Sequence, residues 1–153
     1  MKNSMDTLRS KIQHLQILQE SRSYADLLET YRDKVLTQQT RTIRLLGRKN
    51  SAKIIHTLLG YEVQASYKRI QCPDLVTARY LRLFSELGCH SIKLPYDPTV
   101  TEQLIPKFEA QVDDIKKMVR ERFPLHSHTQ RYVICVIYRI IRRQLAAASP
   151  GSN

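Results

Sequence analysis

The sequence predicts a mainly α fold: a compact single-domain bundle of five or six helices. Three observations carry this. Apolar residues recur at three- and four-residue spacings through most of the chain, which lays a stripe along a helix. Capping and stop signals punctuate those stripes. Glycine is scarce, with four in 153 residues, and few glycines leave few of the tight turns that a many-stranded barrel needs. Hydrophobic content of 42% and charged content of 25% are ordinary for a globular domain of this length. Residues 1–148 are expected to form one helical domain and 149–153 a short disordered tail.

Met5, Leu8, Ile12 and Leu15 form a narrow seam on a first helix that ends near Glu20. This seam is the candidate surface for homo-oligomerisation. Ser23 to Asp26 resembles a capping box and opens a long helix that stops before Gly47. On that helix Tyr24, Leu27, Leu28, Tyr31, Val35, Ile43 and Leu46 share the apolar side, and Lys34, Arg41, Arg44 and Arg48 share the opposite arc.

Residues 51–70 admit two periods. Ile54, Ile55, Leu58, Leu59, Val63, Tyr67 and Ile70 keep helical spacing, while Tyr61 to Lys68 alternates as a strand does. The helix is the leading reading. Pro73 ends that segment, and the clearest helix of the chain follows over residues 74–87, with Gly88 as its stop. The break at Cys72-Pro73 has the outline of a helix-turn-helix, although a proline in the turn is unlike the compact motif. Residues 91–98 alternate Ile92, Leu94 and Tyr96 between prolines, as an extended crossing or short edge strand. Thr99 to Glu102 reads as a capping box for a long helix that ends at Pro124, with Pro106 marking a kink or the true first turn. The last helix runs over 129–148, with Val133, Val136, Ile137, Ile140 and Ile141 inward and Arg131, Arg139 and Arg142 outward. The competing fold is α+β, with a small sheet from residues 61–70, 91–94 and 132–137.

Charge is the strongest functional signal. Two windows contain no acid: residues 34–61 hold Lys34, Arg41, Arg44, Arg48, Lys49 and Lys53, and residues 122–153 hold Arg122, Arg131, Arg139, Arg142 and Arg143. These eleven cations equal the whole formal net charge of +11. Arginine forks pair with phosphate in bidentate fashion, and phosphate neutralisation releases counterions. The expected function is therefore non-enzymatic nucleic-acid binding, DNA or RNA, as a regulatory protein or complex subunit. The candidate residues are Arg41, Arg44, Arg48, Lys49, Lys53, Arg139, Arg142 and Arg143. The alternative is an adaptor or assembly factor that docks on an acidic protein surface.

Other chemistries find little support. Cys72, Cys89, His90, His126 and His128 are zinc-ligand types but lack C-x-x-C or H-x-x-x-H spacing. There is no nucleophile elbow and no glycine-rich phosphate loop. No catalytic residue, metal or cofactor is expected. The longest apolar run, Tyr132 to Tyr138, is too short to span a bilayer. Three cysteines without a spaced framework point to the cytoplasm or another reducing interior compartment.

Overall fold

The computed structural model describes residues 22–47 and 51–149. Helix α1 (Arg22–Thr30) runs into a turn of π-helix (Tyr31–Val35), closed by the Leu36 N–H donating to the Tyr31 carbonyl. Strands β1 (Thr40–Arg44), β2 (Ala52–Thr57), β3 (Gly60–Ala65) and β4 (Lys68–Cys72) follow. Then come α2 (Leu75–Glu86), β5 (Ser91–Pro95), α3 (Pro98–Arg122) and α4 (Ser127–Ala148). Strand β1 pairs antiparallel with β5, and β2, β3 and β4 form an antiparallel meander. The fold is α+β, with four helices and two sheets among the described residues. The expected all-helical bundle is overturned.

Two segments account for the correction. The helix expected to run to Gly47 stops at Val35, and residues 40–44 are strand. Thr40, Thr42 and Ile43 are β-branched, so their side chains favour the pleated backbone once β5 supplies a partner. Residues 51–70 are three strands, not a helix. Gly60 sits at φ +124 in the β2–β3 turn, and a Cβ there would collide with the Cys72 carbonyl. The apparent helical match of Leu58 and Leu59 is a coincidence of spacing, since both lie exposed at the hairpin tip. With β4 leading into α2, the helix-turn-helix outline also disappears.

Of the alternative small sheet, residues 61–70 and 91–94 are extended, but they lie in two different sheets and 61–70 is two strands joined by a turn at 66–67; residues 132–137 lie within α4. The helix near residues 74–87 is found as Leu75–Glu86, with Asp74 Oδ1 accepting the Thr77 N–H at 2.7 Å. Helix α3 begins two residues earlier than the Thr99 capping box implies: Asp97 caps it through the Thr99 N–H, and Pro106 lies inside the helix. The Met5, Leu8, Ile12 and Leu15 seam and residues 150–153 lie outside the described residues. Ser149, read as the start of a tail, is buried.

Helix α2 packs against both the three-stranded sheet and α3, and α1 packs on α3 and α4. At the centre, Phe84 meets Tyr80 at 4.9 Å and Phe108 at 5.5 Å between ring centroids, in tilted and edge-on geometries. Glu86–Lys116 and the pairs from Arg79 and Arg82 to Glu109 join α2 to α3 at the surface.

The β1–β5 sheet is joined to this core through backbone polar groups. Lys93 faces Thr42 across the ladder, so its own N–H and C=O point away from β1. The Lys93 N–H donates to the Tyr31 hydroxyl at 3.2 Å, and the Tyr80 hydroxyl donates to the Lys93 carbonyl at 2.6 Å. Tyr31 in turn lies 3.1 Å from Ser149 Oγ, which donates to the Leu145 carbonyl at 3.0 Å. Because the single Ser149 hydroxyl proton is used there, Tyr31 is the donor to Ser149. A directed chain thus runs from β5 through the end of α1 to the end of α4. Tyr31→Phe keeps the ring and breaks this chain at its middle. We expect a loss of about 1–3 kcal/mol of unfolding free energy in urea titration, the cost of leaving the part-buried Lys93 N–H unpaired. A change within about 0.5 kcal/mol would show that the hydroxyl is dispensable.

Candidate nucleic-acid interface

A cleft of about 650 Å³ opens between β5, the Gly47 turn and the C-terminal half of α4. Its basic side chains are His90, Lys93, Arg139, Arg142 and Arg143, and among the described residues no carboxylate lines it. The floor includes Tyr31, Cys89, Ile92, Leu145 and Ala146.

Each cation arrives there for a local reason. On α4, Val133, Ile137, Ile141 and Leu145 are buried, so Arg139, Arg142 and Arg143, at i, i+3 and i+4, take the remaining side of the helix. The half-buried Arg142 guanidinium donates to the Leu87 carbonyl at 3.2 Å. Leu87 is the C-cap of α2, where the helix dipole favours a cation. That bond uses one of five guanidinium N–H donors and holds the group in place. On β5, Ile92 and Leu94 turn inward, so the pleat sends the Lys93 side chain to the other face, where Nζ donates to Thr42 Oγ1 at 2.6 Å. Gly47 adopts φ +82 and packs on the His90 ring, where any Cβ would clash. The Leu45 N–H donates to the His90 carbonyl and the Gly47 N–H to the Cys89 carbonyl, extending the β1–β5 pairing to the cleft edge.

The predicted residues are partly brought together. Arg139, Arg142 and Arg143 share the cleft wall. A helix would place Arg41 and Arg44 on one face, but strand β1 splits them. Arg41 is in register with buried Leu94, and Arg44 is in register with Ser91, which lines the cleft. Arg44 therefore shares a sheet face with Ser91, without itself lining the cleft, and Arg41 turns to the other face. Lys53 is exposed on β2, in the other sheet. Arg48 and Lys49 lie outside the described residues. His90 and Lys93 are absent from the predicted set. The alternation of Ile92 and Leu94 was the available signal for Lys93; nothing local marks His90.

Glu109 pairs with Arg79 and Arg82, and Glu86 pairs with Lys116. Among the described residues, Arg41, Arg44, Lys53, Arg139, Arg142 and Arg143 form no ion pair. Also among the described residues, no three of the His, Cys, Asp and Glu side chains gather as a metal site, and no helix is long and apolar enough to cross a membrane.

The cleft thiol is suited to packing. Burial pushes Cys89 up to about 12, against the partial relief of the Arg142 charge, so it stays protonated at neutral pH. Burial likewise raises Cys72 to about 11. The Cys89 thiol ordinarily titrates at 9.0 in the unfolded chain, so deprotonation favours unfolding above that pH. Its stabilisation is fully present below pH 9.0 and is lost as pH rises toward 12. Urea titrations between about pH 8.5 and 10.5 should show stability falling more steeply for the wild type than for Cys89→Ala, by up to about 1.4 kcal/mol per pH unit. Parallel slopes would contradict this.

Compared with known proteins, this α+β chain with its cationic cleft matches no family model, no curated protein and no solved structure.

Proposed function

We propose that this protein is a non-enzymatic nucleic-acid-binding protein, acting as a regulatory or complex subunit in a reducing interior compartment. One observation carries the reading. Five basic side chains, His90, Lys93, Arg139, Arg142 and Arg143, converge on one cleft that no carboxylate among the described residues lines. Arg44, on the neighbouring strand, is in register with the cleft residue Ser91. His90 and Lys93 lie outside both acid-free windows and join the α4 arginines of the second, so local charge runs alone do not account for the convergence. Phosphate contacts of this kind supply sequence-independent affinity and position the ligand.

Fluorescence anisotropy with labelled duplex DNA, single-stranded DNA and RNA tests the proposal over a range of salt. Wild type should bind at least one of these at about 50 mM salt with a steep negative salt slope. The Arg44→Gln, Arg139→Gln, Arg143→Gln triple variant should make the slope shallower by about one unit for each phosphate that is no longer neutralised. Absence of wild-type binding at about 50 mM salt would refute the proposal.

A second reading, the protein adaptor, is favoured by the β2–β3 hairpin tip. Leu58 and Leu59 are 106% and 83% exposed. The Thr57 hydroxyl braces the turn, accepting the Leu59 N–H at 3.3 Å. Two braced, solvent-facing leucines form an apolar knob beside a basic body. If this reading is correct, Leu58→Ser, Leu59→Ser abolishes capture of a protein partner while leaving urea stability within about 0.5 kcal/mol. Retained capture would remove the tip from the interface.

A further inference from the structure

We infer that the cleft accepts one unpaired nucleotide of a single strand, with its phosphate on the cationic rim and its base against the floor. This rests on the nucleic-acid reading and specifies the form of the ligand. Three features support it together.

The first is size. A volume of about 650 Å³ falls within the range of roughly 300–1,000 Å³ that encloses one small molecule. A base-paired duplex presents phosphates and groove edges to such an opening and keeps its base faces stacked inside. The second is the division of the lining. Arg139, Arg143 and Lys93 offer cationic donors, while Ile92, Leu145 and Ala146 offer apolar surface. Phosphate binding alone needs only the former. An exposed base has a polar backbone on one side and an apolar ring face on the other, and uses both. The third is Arg142. Its guanidinium is tied to the Leu87 carbonyl at 3.2 Å and stands beside Cys89. A guanidinium held in place is a planar surface on which a base stacks, and its position is already set before binding.

The test compares a short fluorescein-labelled oligothymidylate with a duplex of the same length. Ala146 is exposed on α4 and lines the cleft, so Ala146→Phe fills the space without removing a cation. The strand-to-duplex affinity ratio should fall by about 5- to 100-fold, the range that stacking of one base supplies. An unchanged ratio overturns the inference. A thermal melt confirms folding of the variant.

Competition on the wild type gives an independent reading. Thymidine monophosphate should displace the strand at concentrations where inorganic phosphate does not; equal displacement by both would reduce the cleft to a phosphate site and overturn the inference. Thymidine monophosphate binding as tightly as the oligothymidylate would also overturn it, because the ligand would then be a free nucleotide. If duplex and strand both bind and the ratio is unaffected, the inference alone fails. If neither binds, the nucleic-acid reading fails with it.

Discussion

The peptide unit of Lys93 is held from outside its sheet by two tyrosine hydroxyls, and the arrangement of the whole chain depends on this. Strand β5 has one strand neighbour, β1, so its second edge would bury an unpaired N–H and C=O. Tyr31 and Tyr80 supply the missing partners from two different segments. Both rings are buried, and burial raises both phenol pKa values, so the hydroxyls remain protonated hydrogen-bonding groups at neutral pH. The sheet edge is thereby fixed to the end of α1 on one side and α2 on the other.

The same contacts set the geometry of the cleft. Tyr31 continues to Ser149, which ties the end of α4 to the β5 edge. Arg142 ties the middle of α4 to the end of α2 through Leu87. With α4 restrained at both points, its arginines face β5 across an open space, with Tyr31, Ile92 and Leu145 below. Strand pleat then places Lys93 and Arg44 on the outer side of the small sheet. The cleft is a product of how the core is closed, and its cations are carried on elements that have little freedom to move apart.

Charge follows the same division. The carboxylates Glu86 and Glu109 are engaged by Lys116, Arg79 and Arg82 in the α2–α3 contact. These pairs are partly exposed and stabilise modestly. Their larger consequence is electrostatic: these two carboxylates are occupied with cations of the same region. Of the excess positive charge, Arg139, Arg142 and Arg143 stand at the cleft on α4, where they set a local positive field.

Much of this molecule was legible in the residues. Asp74 before a strong apolar stripe and Gly88 after it bounded α2. Val133, Ile137 and Ile141 read directly as the buried face of α4. Long stripes with caps are local signals, because a helix satisfies its own backbone. Residues 40–44 and 51–70 lacked that self-sufficiency. Their apolar positions suit both periods, and the choice was made by hydrogen-bond partners elsewhere, such as Lys93 against Thr42, 51 positions apart. The site divides in the same way. The sequence by itself determined the arginine triplet of α4, through helical spacing, and the two windows without acid. That Arg41 and Arg44 part company across a strand, and that His90 and Lys93 meet the α4 arginines at one cleft, follows only from the tertiary fold. A strand's faces, and a cleft between distant segments, exist only once non-local pairing has been made.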